Sequence, residues 1–170
     1  MLRRANLRPA LGRAAVLGLL IAWAAAAPAG WAQDDATKSA DVVKIKATAD
    51  KPGADGKQVV TVTIDIEKGW HIYANPVGND DFAINQTTVS VTGKQKLEDV
   101  RIEYPPGKEV QDKLVGNYMT YEDKVAIKVT VKRARDDTGP LDVSVKLQSC
   151  CHIKGKEKCL IPSTVKVNVP

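Results

Sequence analysis

Between Val43 and Val169 apolar and polar residues alternate with a period of two in one short run after another, and no pattern in the chain restricts its fold more. Val43, Ile45 and Ala47 share one face; so do Val60, Val62, Ile64 and Ile66, then Val89 with Val91, Val100 with Ile102, and Val125, Ile127, Val129 and Val131. Leu141, Val143, Val145 and Leu147, followed by Val165, Val167 and Val169, complete the series. Side chains of a strand point alternately to opposite faces, so each run reads as a half-buried strand. The breaks carry turn-forming residues, as in Pro52-Gly53-Ala54-Asp55-Gly56, Pro105-Pro106-Gly107 and Asp136-Asp137-Thr138-Gly139-Pro140. No helical period competes with them. Seven or more short strands in a domain of this size predict an all-β, antiparallel β-sandwich of immunoglobulin-like topology over residues 41–170.

The first 32 residues stand apart. Arg3, Arg4, Arg8 and Arg13 precede an apolar run from Ala14 to Ala27, and Gly30 and Ala32 occupy the two positions a signal peptidase reads. This predicts a secretory signal peptide over 1–32, cleaved before Gln33, and a mature chain that is periplasmic or secreted and not inserted in the membrane. Residues 33–40 are polar and aperiodic and read as a flexible N-terminal tail. Removing four arginines from a formal charge of +5 leaves +1 for the mature chain, too little for a nucleic-acid-binding surface. The mixed run Lys132-Arg133-Ala134-Arg135-Asp136-Asp137 reads as a solvated turn, and Asn85-Gln86-Thr87 as a chance match to a glycosylation sequon.

The 138 residues from Gln33 to Pro170 are enough to bury a core without covalent staples, yet all three cysteines fall between Cys150 and Cys159. That segment joins the last two alternating runs. If those runs pair as a hairpin, opposed residues lie within the roughly 4.4 to 6.8 Å Cα separation a disulfide requires, so Cys150 or Cys151 can bridge to Cys159. An odd count leaves one thiol over. Lys154, Lys156, Lys158 and His152 would stabilise a thiolate, and Gly155 lets the loop bend. From these residues alone a redox-active pair and a purely structural staple are both open, the latter making the domain a non-enzymatic immunoglobulin-like binding module. A Cys/His metal carrier using Cys150, Cys151, His152 and Cys159 ranks behind them, because adjacent strand residues diverge; no metal site and no cofactor is expected.

Three motifs carry a family resemblance: Gly69-Trp70-His71-Ile72-Tyr73-Ala74-Asn75-Pro76; Asp112-Lys113-Leu114-Val115-Gly116 with Tyr121-Glu122-Asp123-Lys124; and Val145-Lys146-Leu147-Gln148-Ser149-Cys150 with Cys159-Leu160-Ile161-Pro162. Over most of the mature chain the sequence resembles the N-terminal periplasmic domain of the thiol:disulfide interchange protein DsbD, also called disulfide bond corrector. The resemblance implies a redox pair Cys150/Cys159 that passes electrons to or from thioredoxin-fold periplasmic proteins through a mixed disulfide, with a separate membrane electron donor. It implies a cap loop around Asp112 and Leu114, where Leu114 replaces an aromatic and shielding should be weaker. His71 and Tyr73 fall where the family places aromatic residues beside the cysteines, in a supporting role. Cys151 is an added thiol, the loop before Cys159 is longer than usual, and Lys113 takes an acidic position. Strand parity disagrees with the pairing: Leu147, Ser149 and Cys151 share the apolar side, which favours Cys151 as the bridging residue.

Overall fold

The seven alternating runs form seven strands. The computed structural model describes residues 37–153 and 156–170, so the expected leader, the first half of the expected tail, and Lys154 and Gly155 lie outside the described residues. Strands β1 (Val43–Ala49), β2 (Lys57–Ile66), β8 (Lys124–Lys132) and β5 (Glu98–Glu103) form a four-stranded sheet in the order β1-β2-β8-β5. Strands β12 (Ser163–Val169), β9 (Leu141–Leu147) and β4 (Thr88–Gly93) form a three-stranded one. Every strand pairing is antiparallel, and helix among the described residues is confined to two 3-10 turns, Ser39–Val42 and Asp80–Asn85. The fold is an all-β, immunoglobulin-like sandwich, as expected.

The periodic residues build its core. Val60, Val62 and Ile64 of β2, Ile127, Val129 and Val131 of β8, and Val143 and Val145 of β9 are each 0% exposed and belong to one cluster. Burying a side chain of this kind contributes about 1.5–3 kcal/mol, so these positions dominate the stability of the sandwich.

Alternation does not announce the remaining sheet. Strands β11 (Lys156–Cys159), β10 (Ser149–Ile153), β3 (Trp70–Tyr73), β7 (Tyr118–Glu122) and β6 (Lys108–Val110) form a five-stranded sheet in the order β11-β10-β3-β7-β6. All four residues of β3 are buried, so the strand is covered on both faces and shows no polar side. Trp70, Ile72, Tyr121 and Cys151 turn inward to the main core; Tyr73, Tyr118 and Cys150 belong to a second, smaller cluster on the outer face.

Three expectations need correction. The Lys132–Asp137 turn is not wholly solvated: Arg133 and Asp137 are buried and ion-paired at 3.0 Å, and Arg133 also donates to Gln58 Oε1 at 2.9 Å. This guanidinium hydrogen bond holds the Asp137 carboxyl below the ordinary carboxylate range. Sequence showed mixed charge, but two hydrogen-bonded partners allow it to be buried. Val100 does not share the wall of Ile102; a bulge between Glu98 and Arg101, with Asp99 at φ 47°, leaves it 45% exposed. Finally, the part of the expected tail that is described is tied down from Thr37 onward. Ser39 is buried, its amide donates to the Ile161 carbonyl at 2.9 Å, and its hydroxyl accepts from the Ser149 amide at 2.8 Å. Those partners lie more than a hundred residues away, so no local pattern marks them.

Candidate functional site

The cysteine segment forms its own hairpin. Gln148 separates β9 from β10, and the chain crosses there from the three-stranded to the five-stranded sheet. In the β10–β11 pairing Cys150 stands opposite Cys159, and the two are joined by a disulfide with Cα atoms 4.0 Å apart. Cys151 stays a thiol and is buried in the main core. Parity described the strand correctly, since Leu147, Ser149 and Cys151 all face inward. Its implication for the bridge fails because Cys159 is opposed to the outward residue, and the outer face here is not solvent.

What covers that face is aromatic. Tyr73 stacks on Phe82 at 5.2 Å between ring centroids, and Phe82 meets Tyr118 at 4.9 Å. Val77 and Val110 complete the cluster around Cys150, which is 0% exposed. The Tyr73 hydroxyl lies 3.7 Å from Cys150 Sγ and 3.9 Å from Cys159 Sγ. A cystine carries no S–H, so the phenol is the donor to the sulfurs. Cys159 is itself exposed, so the bridge joins one buried and one exposed residue.

The segment between β3 and β4 brings Phe82 into place. Thr87 returns its amide and hydroxyl to the Tyr73 carbonyl at 3.0 and 2.7 Å, closing the excursion. Asn79 caps the turn Asp80–Asn85 by accepting from the Asp81 amide at 3.1 Å and donates through Nδ2 to the Val115 carbonyl at 2.9 Å. That second bond clamps the excursion to the loop holding Asp112 and Leu114.

In that loop Asp112 Oδ1 accepts from the amides of Leu114 at 2.7 Å and Val115 at 3.1 Å, which lowers the Asp112 carboxyl below its ordinary range; His152 adds to the shift. Leu114 is 95% exposed and is not in the cluster over the cystine. The structure thus gathers Cys150, Cys159, Tyr73 and His71 on one face and places Asp112 near His152, while Leu114 stands in solvent. Phe82, Tyr118 and Val77 were not singled out from sequence. One signal was available: Phe82 is the only phenylalanine in the chain and sits in a stretch without periodicity.

His71 is directly opposite Cys150 on one side and Glu122 on the other. It is buried, packs edge-on to Tyr73 at 6.1 Å and is stacked by His152 at 5.7 Å. Glu122 is held by Lys108 Nζ at 2.8 Å, and the Lys108 ammonium is pushed above its ordinary pKa by that hydrogen bond. Among the described residues no group of three or more His, Cys, Asp or Glu is placed to hold a metal ion, and no helix is long and apolar enough to cross a membrane.

Fold and site together define a class: an immunoglobulin-like sandwich whose cystine lies on the outer face of one sheet, under an aromatic cover, instead of bridging the two sheets through the core. The chain belongs to the family of the N-terminal domain of the thiol:disulfide interchange protein DsbD, whose family model matches residues 35–169. Among solved structures, the N-terminal periplasmic domain of ScsB from Proteus mirabilis is similar in fold, with a TM-score of 0.54 and 19% identity over 75% of this chain and 46% of that one. The chain therefore spans less than half the length of that structure. The reduced DsbD N-terminal domain of Neisseria meningitidis aligns at 17% identity over 73% of this chain and 82% of that one, with a TM-score of 0.43. A complex between the DsbD and PilB N-terminal domains of Neisseria meningitidis aligns at 14% identity over 74% and 80%, with a TM-score of 0.46. No curated protein matches the chain.

Proposed function

We propose that this domain exchanges thiols and disulfides with thioredoxin-fold proteins of the periplasm through Cys150 and Cys159, after removal of the leader at residues 1–32. One observation carries the reading: the cystine joins a buried residue, Cys150, to an exposed one, Cys159, on a face held apart from the main core. A staple needs neither residue at the surface, whereas exchange requires a partner to reach one of them. Family membership supports the same chemistry. In the reduced protein the Cys159 thiolate attacks the partner's disulfide, a mixed disulfide forms, and Cys150 then resolves it. The electrons come from a separate membrane protein. Cys150→Ala leaves Cys159 without its resolving partner and should accumulate a mixed disulfide with a thioredoxin-fold protein in the periplasm; Cys159→Ala should not. The proposal is lost if the reduced wild-type domain reduces no thioredoxin-fold disulfide.

A further inference from the structure

Across four strands of the five-stranded sheet runs a single row of opposed residues: Cys159 on β11, Cys150 on β10, His71 on β3 and Glu122 on β7. Lys108 on β6 closes it through its ion pair to Glu122 at 2.8 Å. Sulfur, imidazole, carboxylate and ammonium thus follow one another on one face, and directly opposed residues have Cβ atoms only about 4.5–5.5 Å apart. At that spacing an imidazole reaches a sulfur through one hydrogen bond or one water.

The residues around His71 differ in kind on each side. Cys150 and His152 face it from β10, Glu122 from β7, and Tyr73 from its own strand; Asp112 in the loop acts on His152. His71 is buried, and the exposed His152 stacks on its ring. Imidazole is the side chain whose ordinary titration falls between about pH 5 and 8. An exchange centre must shed a thiol proton to attack and supply one to the thiolate that departs.

We propose that His71 is the proton acceptor and donor of the sulfur pair, with Glu122 as its positioning residue. The idea rests on the exchange reading above and assigns its proton. When Cys159 attacks, its S–H bond breaks and the proton passes to His71 through the Tyr73 hydroxyl, which contacts both sulfurs and whose ring packs edge-on to the imidazole. The sulfur's electron pair forms an S–S bond with one sulfur of the partner's disulfide. The partner's own S–S bond breaks, and its second sulfur departs as a thiolate that takes the proton back. In the resolving step Cys150 gives its own proton to His71 and its sulfur bonds to that of Cys159; the mixed-disulfide bond breaks, and the partner's remaining sulfur departs as a thiolate that takes this second proton, so two electrons and two protons have moved from this domain to the partner.

The test uses dithionitrobenzoate, a small aromatic disulfide that reads the thiols whoever the natural partner is, so failure here is separable from failure of the exchange reading. With the fully reduced domain, the rate against pH should show an inflection between pH 5 and 8 in addition to that of the thiol. His71→Gln should abolish this inflection and slow the reaction about 100-fold at pH 7, with rates converging where the thiol is already ionised. Glu122→Gln should move the inflection down by about one unit. A uniform rate loss at every pH in His71→Gln, or an unaltered profile, overturns the proposal. Because that variant could fail to fold, the wild-type domain supplies an independent reading. The His71 ring signals, followed by NMR against pH, should show a further shift in the reduced domain as the neighbouring thiol ionises, and none in the oxidised one; ring signals that do not respond to thiol ionisation overturn the proposal.

Discussion

In β2, β8 and β9 every second side chain is dry and its neighbours are more exposed, whereas in β3 four consecutive residues are buried and in β7 only one of five is exposed. The first region is a sandwich with one core. The second is a sheet with cover on both sides, the main core beneath and the Tyr73–Phe82–Tyr118 cluster above. The difference teaches where this domain keeps its chemistry. A sandwich strand can offer a residue to the core or to water, but the doubly covered sheet offers a third environment, in which a cystine joins a buried residue to an exposed one and is contacted by a phenol.

That contrast can be broken most severely in the sandwich. Ile127→Ala opens a cavity at a fully buried position and should cost about 3 kcal/mol in denaturant unfolding, while the equilibrium of the cystine with glutathione stays unchanged. A shift in that equilibrium would show the two regions to be one energetic unit. Reducing the cystine is the converse experiment. A bridge between residues nine apart closes a short loop, so urea unfolding of the reduced and oxidised forms should differ by less than about 3 kcal/mol; a larger loss would make the bridge a staple.

A smaller change sharpens the comparison from within the covered sheet. Tyr73→Phe keeps the ring stacked on Phe82 and removes the hydroxyl beside both sulfurs. The hydrogen bond lost is worth about 1 kcal/mol, so the thiol pKa, followed by thiolate absorbance, should rise by up to about one unit. Smallest of all is the pH effect at the far end of the sandwich. Arg133 lowers the folded-state pKa of Asp137, so its contribution is complete above the ordinary carboxylate pKa of 3.8 and is lost as pH falls below that value. Between pH 5 and 3 the melting temperature of Asp137→Asn should therefore fall less than that of the wild type.

The same division governs how far the residues could be read in order along the chain. Period-two alternation marked seven strands, and these are the seven of the four- and three-stranded sheets. In the five-stranded sheet alternation gave little, because Trp70-His71-Ile72-Tyr73 is apolar or aromatic on both faces once Phe82 and Tyr118 close over it. Arg133 misled for a related reason: a charge is read as solvated until its buried partners Asp137 and Gln58 are known.

Composition and spacing alone determined that the chain folds as β-sheet, that the valine- and isoleucine-rich faces form its core, and that any sulfur chemistry lies between Cys150 and Cys159. Those properties are local, because strand geometry turns sequence parity directly into sidedness. Spacing and parity left open which cysteine is bridged, though the family resemblance pointed to Cys150; it took the folded domain to show that bridge, to set His71 between Cys150 and Glu122, and to pack Phe82 against the cluster around Cys150 while Leu114 stays in solvent. Register between strands far apart in sequence sets those relations, and register follows from packing the whole domain at once.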